Sequence, residues 1–191
     1  MSEPSSEQSK KGEPDGLSDV RLSRIPIQNI RVEFAHHLQL LADPGFQESL
    51  SPESSRPIRT DLFLWTGTPS DFLTLICQRA VLGVEAYLQG SVMIQASRRR
   101  IADPEVWKTL RAPFSLGRSS FQVFYELLPA VVNPAWSLRV ARPELFATMR
   151  HLYKRIRNPL LHGSRLRDDA PVVALRIHQC IREVYAWIDS W

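Results

Sequence analysis

Arg157 and His162 carry the groups in this chain best suited to acid–base chemistry on a phosphodiester. The guanidinium is a fixed cation whose planar fork matches phosphate oxygens. The imidazole moves a proton near neutral pH. They lie in Arg157-Asn158-Pro159-Leu160-Leu161-His162-Gly163, separated by a capping amide and a proline. Without metal, such a pair can cleave RNA. His162 assists deprotonation of the 2′-hydroxyl or protonation of the leaving oxygen, and Arg157 stabilises the charge developing on phosphorus. Arg150, Lys154 and Arg157 recur at i, i+4 and i+7 as a basic stripe, and Arg165 and Arg167 follow His162. Arg150, Lys154, Arg165 and Arg167 are therefore candidates for holding RNA. Glu85, inside the apolar run Val84-Glu85-Ala86-Tyr87, can orient Arg157 or polarise His162 as a supporting acid. The same position also suits a carboxylate that pairs with a structural arginine or reaches solvent.

Spacing alone decides nothing in a chain with 20 Arg and 5 His. Composition yields about one or two chance matches to an Arg followed by four to six residues and then a His. Arg31 matches both His36 and His37, and Arg155 also matches His162. Context separates them. Pro159 lacks an N–H and pushes the residue before it out of the α region. The sequence therefore predicts a helix that stops near Arg157, with Asn158 capping a new turn. Arg31 and His36 share one unbroken pattern and diverge by about 140°. Arg157 and His162 would straddle a break and face one cleft. The rival reading of these residues is structural: Asn158-Pro159 a helix cap, Gly163 a turn, His162 a core residue.

The elements that position the motif are helical. Ile27, Ile30, Phe34, Leu38 and Leu41 form one stripe of a helix over 27–42, ended by Asp43-Pro44-Gly45. Residues 48–61 are rich in Ser, Pro and Arg and predict a loop. Thr68-Pro69-Ser70-Asp71 opens a long helix that runs to about Ser97 and meets Arg98-Arg99-Arg100. Those arginines suit a solvated helix end, or a hold on RNA backbone. Asp103-Pro104-Glu105 opens a short helix, and another starts near Ser119, with Pro129 placed to kink or end it. Pro143-Glu144 starts the penultimate helix, whose face is Leu145, Met149, Leu152 and Ile156. The last helix begins near Pro171. No stretch shows sustained strand alternation. The fold expected is all-α and bundle-like, with five or six helices over 19–191, behind a disordered tail at 1–18.

Composition narrows the function classes. The chain has 191 residues, 43% of them apolar, which supports one sizeable core. A net charge of +4 tilts it mildly toward anionic partners. Cys77 and Cys180 sit in apolar helical patterns and are expected reduced and buried, not paired as in a small secreted fold. No cysteine or histidine cluster has ligand spacing, so neither metal nor cofactor is expected. Gln78, Arg79, Glu85 and Gln89 interrupt the most apolar stretch, which argues against a membrane span. Without a signal peptide the expected location is cytoplasmic. Gly117-Arg118-Ser119 lacks the spacing and Lys of a phosphate-binding loop.

Arg157-Asn158, then His162 and Gly163, between the last two helices of an all-α chain, resemble the signature of the HEPN superfamily (higher eukaryotes and prokaryotes nucleotide-binding). That signature is an Arg, often followed by Asn, with a His four to six positions after the Arg. The resemblance rests on residues 157–163 and on the helical layout over about 62–191. It implies a HEPN-like helical bundle and a metal-independent endoribonuclease acting as a homodimer, with two copies of the motif at the interface. It assigns site roles to Arg157, Asn158 and His162. It also implies RNA as partner, a toxin–antitoxin or phage-defence setting, and an antitoxin or other protein partner. Ser164 stands where one common toxin branch has an aromatic residue, so this chain departs from that branch. The alternative within the superfamily is a non-catalytic module that binds RNA, nucleotide or a partner protein.

Overall fold

Helix starts follow the capping chemistry of the sequence. After α1 (Ile27–Ala42), Asp43 accepts the Phe46 N–H to cap α2 (Pro44–Ser49). Pro69 opens α3 (Pro69–Arg98), and Asp103 accepts the Glu105 N–H at the start of α4 (Pro104–Arg111). Ser119 caps α5, which continues through Ser120–Gln122, Val123–Leu127 and Leu128–Val132. A short α6 (Leu138–Ala141) precedes α7, which continues through Pro143–Leu152, Tyr153–Arg157 and Asn158–Leu161. The chain ends on α8 (Ala170–Asp189). The computed structural model describes residues 27–50, 58–59, 64–65, 69–164, 166 and 170–191. The tail expected at 1–18, the cap expected at Thr68, and Arg165 and Arg167 lie outside the described residues. Among the described residues the regular structure is helical apart from an antiparallel pairing of Ile58–Arg59 with Leu64–Trp65. Among them no helix is long and apolar enough to cross a membrane.

Two prolines expected to disturb their helices do not end them. A proline inside a helix lacks one donor, and its ring crowds the carbonyl four residues back. Here a wider π turn precedes each one. The Leu128 N–H reaches back five residues to the Val123 carbonyl before Pro129. The Asn158 N–H reaches the Tyr153 carbonyl before Pro159 in the same way. The looser turn gives the ring room and lets the helix continue. The break predicted after Arg157 is therefore absent: Asn158 is helical, at φ −64 and ψ −49.

Helix ends show a second contrast. α7 finishes with the Ser164 N–H on the Pro159 carbonyl at 2.9 Å, and Gly163 takes the left-handed φ of 87 that this end requires. α3 finishes likewise, with the Ile101 N–H on the Ala96 carbonyl at 3.1 Å. Its left-handed residue is Arg100, at φ 53. A Cβ there costs about 1 kcal/mol relative to glycine.

The core forms along α3, which packs against α8, α1 and α5. Val84, Leu88, Val92 and Ala96 are fully buried beside Ile181, Val184 and Trp187 of α8. Gly90 and Gly83 form notches for α1. A Cβ on Gly90 would collide with Ile27 Cδ1, and one on Gly83 would lie 3.1 Å from Ile30 Cγ2. Next to them His37 of α1 and His178 of α8 are buried together, their rings 6.0 Å apart. Burial lowers both imidazoles from 6.5 to about 4. Cys77 is fully buried, and burial pushes its thiol up to about 12. Cys180 is only half-buried, unlike the expectation for it, and donates to the Met149 sulfur at 3.3 Å.

Candidate active site around Arg157 and His162

A buried carboxylate organises this site. Glu85 projects from the middle of α3 and is 5% exposed. The two π turns face it, and each supplies a phenol. Tyr153, first in its π turn, donates a short hydrogen bond to Glu85 Oε1. Tyr125, in the middle of the other, lies 3.3 Å from the Tyr153 hydroxyl. Arg157 closes the cluster. Its Nη2 reaches Glu85 Oε1 at 3.1 Å and Oε2 at 3.2 Å, and its Nε reaches Oε1 at 3.3 Å. The guanidinium also lies 5.2 Å from the centre of the Tyr153 ring. Burial raises the Glu85 carboxyl above its ordinary value, against the Tyr153 hydrogen bond and the Arg157 charge. Burial likewise raises both phenols, so Tyr125 and Tyr153 stay protonated donors.

Sequence candidates fall differently around this cluster. Arg157 turns inward, its side chain only 14% exposed, and leaves the basic stripe expected with Arg150 and Lys154. The π turn changes the helical phase between residue 150 and residue 157. Arg150 and Lys154 remain exposed, and neither has an ion-pair partner among the described residues. Asn158 does not cap a new turn, because its own backbone is helical. Its Oδ1 accepts a hydrogen bond from Arg157 Nη1 at 3.2 Å instead. His162 ends α7 and is exposed, its N–H on the Asn158 and Pro159 carbonyls at 3.1 Å each. Its ring has no hydrogen-bond partner among the described residues, and none joins it to Arg157. Gly163 serves as the turn that stops the helix.

The first turns of α3 hold the chain on both sides of His162. Gln78 Nε2 donates to the Leu160 carbonyl at 2.7 Å, Thr74 Oγ1 accepts the Leu166 N–H at 3.1 Å, and the Ser70 hydroxyl donates to the Leu166 carbonyl. One helix thus anchors both Arg157 and the chain around His162. No family model matches the chain, and no match is found among curated proteins or solved structures. What the site can do rests on its own geometry. A guanidinium held on two sides lies five residues from an exposed imidazole. Arg157 Nη1 carries two hydrogens and gives one to Asn158, so one remains for an incoming oxyanion. A cavity of about 690 Å3 lies elsewhere, between α1 and α3, where Phe34, His37, Arg79 and Gly83 line it.

Tyr153 and Tyr125 were missed as site residues from the sequence. Both fit apolar helical stripes, so periodicity reads them as core. The available signal was chemical: a buried tyrosine hydroxyl needs a partner, and Tyr153 precedes Arg157 by four residues.

Proposed function

We propose that the chain is a metal-independent endoribonuclease of HEPN type, acting on single-stranded or loop RNA as a homodimer. The observation that supports this best is the Glu85–Arg157–Asn158 clamp, five residues before exposed His162 in sequence. Glu85 and Asn158 fix the guanidinium before substrate arrives, which suits stabilisation of charge on phosphorus. His162, open to solvent, is placed to exchange a proton with a 2′-hydroxyl or a leaving oxygen. Because α7 is unbroken, Arg157 and His162 of one protomer diverge by about 140°. A second copy apposing its own 157–162 segment would supply the missing partner to each.

One observation favours the non-catalytic alternative. The charge of Arg157 is largely offset by a buried carboxylate, as in a structural ion pair. A helical module that binds RNA, nucleotide or a protein would keep this cluster for stability alone.

Cleavage of bulk RNA in excess EDTA separates the two. The expected outcome is products ending in 2′,3′-cyclic phosphate, a loss of about 100-fold or more in His162→Ala, and no change in His36→Ala. DNA, without the 2′-hydroxyl, should stay intact. Equal cleavage by wild type and His162→Ala would return the cluster to a purely structural role.

A further inference from the structure

The corner that ends α3 carries a feature the motif does not use. Arg98, Arg99 and Arg100 are all exposed, and among the described residues none has a carboxylate partner. The nearest acids in sequence are engaged elsewhere: Asp103 caps α4, and Glu105 pairs with Lys108 at 3.2 Å. Arg100 occupies a left-handed position that favours glycine, and α7 uses Gly163 at the equivalent end. Keeping arginine there costs folding stability relative to glycine. Beside it, the Arg99 guanidinium lies 4.3 Å from the centre of the Trp136 ring. Trp136 in turn stacks on Trp191 at 4.9 Å and 11°.

We propose that Arg98–Arg100 with Trp136 and Trp191 form a binding site for single-stranded RNA, distant from the Arg157–His162 segment. Three clustered guanidinium groups track phosphates, and flat aromatic faces stack bases of any sequence. Arg99 already rests on Trp136 as a planar cation while Trp191 stacks on the same indole, so a base reaches the Trp136 face by displacing Arg99. Trp136 and Trp191 are half-buried and stacked on each other, so neither projects to insert into a bilayer, which favours nucleic acid over an anionic membrane surface. The use of this site for substrate rests on the nuclease reading; the binding itself does not.

The test uses the full chain and a fluorescein-labelled 2′-O-methyl oligonucleotide of about 12 residues, a length that fits single-strand sites. Its blocked 2′-oxygen prevents cleavage, so a failed nuclease reading leaves the measurement intact. By anisotropy, wild type should bind this probe more tightly than a duplex of equal length. Arg99→Gln and Arg100→Gly should each weaken binding about fivefold, and each should lower the log–log salt slope by about 0.7. Trp136→Ala should weaken it about tenfold. Because Trp136→Ala can loosen the fold, Arg100→Gly is the decisive variant. Its melting temperature should rise by about 2–4 °C while its affinity falls. An Arg100→Gly protein that binds as wild type does would overturn the proposal, as would a lowered melting temperature. Binding to phosphatidylserine vesicles with no binding to the oligonucleotide would assign the corner to a membrane surface and overturn it equally.

Discussion

Removing the Arg157 guanidinium leaves the Glu85 carboxylate, its side chain 7% exposed, with the Tyr153 hydroxyl to hold it. Breaking a buried ion pair from one side costs about 3–5 kcal/mol, because the remaining charge is left uncompensated. Arg157→Ala is therefore expected to lose stability as well as cleavage, and lost activity alone says little about chemistry. Adding Glu85→Gln to Arg157→Ala should recover most of the stability and none of the cleavage. Urea unfolding of the four members of this double-mutant cycle reads the coupling. Additive single effects would show that the pair is not formed in solution. At this scale the sequence was half legible. Glu85 was recognisable as a partner for Arg157 because a carboxylate in an apolar run requires one. The role of Asn158 was not legible. Its preference for caps is real, but Arg157 Nη1 claims its oxygen once the helix continues.

Among the helices, the local rule for proline lost to tertiary packing. Tyr153 and Arg157 both reach Glu85, and the π turn between them places the two side chains against one carboxylate. Pro159 then fits the widened turn, as Pro129 does behind Tyr125. Nothing in a single proline says which outcome holds, since the deciding contact is with α3, 72 residues away in sequence. Some helix starts were legible because caps are local: Asp103 and Ser119 do what their type predicts, whereas Asp43, read only as part of the signal that ends α1, also caps the unexpected α2. Short α6 lacked enough length to show a period. For the π turn the prediction is a trade. Pro159→Ala restores an N–H and should stabilise the chain by about 1–3 kcal/mol. It also lets the turn close to an ordinary α-helix, which rotates Arg157 off Glu85 and lowers cleavage. Calorimetry beside an RNA assay checks both; unchanged cleavage would mean that the π turn does not set the position of Arg157.

For the whole molecule, the buried histidines link folding to acidity. His37 faces Glu33 at 3.9 Å, His36 and Arg79, while the His178 Nδ1–H donates to the Ala174 carbonyl at 2.9 Å and its ring meets Phe34 and His37. Their folded values, about 4, lie below the ordinary 6.5. Depressed values mean that stability is full above about 6.5 and is lost as pH falls toward 4. Each contributes on the order of 3 kcal/mol across that window. Glu85, raised in the fold, acts with the opposite sign: it binds a proton more readily when folded and offsets part of the loss at the acid end. Thermal melts from pH 7 to 4 should show a steady fall that His37→Phe makes shallower. A melting temperature flat across that range would contradict the burial of both rings. The long helices were legible, since one stripe per helix is a periodic signal; five or six were expected, and short α2 and α6 were not among them, while how α1 seats on Gly83 and Gly90 was not legible because a notch has no period. α3 carries the last consequence. It is 30 residues long, so it extends about 45 Å and works as a ruler. Glu85 marks one graduation and Arg99, fourteen residues on, marks another about 21 Å away. If residues 157–163 act on RNA as proposed, a strand gripped at the proposed arginine corner and bent over Arg157 would cover about six nucleotides at stacked spacing. The length of one helix would then set how far from its grip the protein cuts.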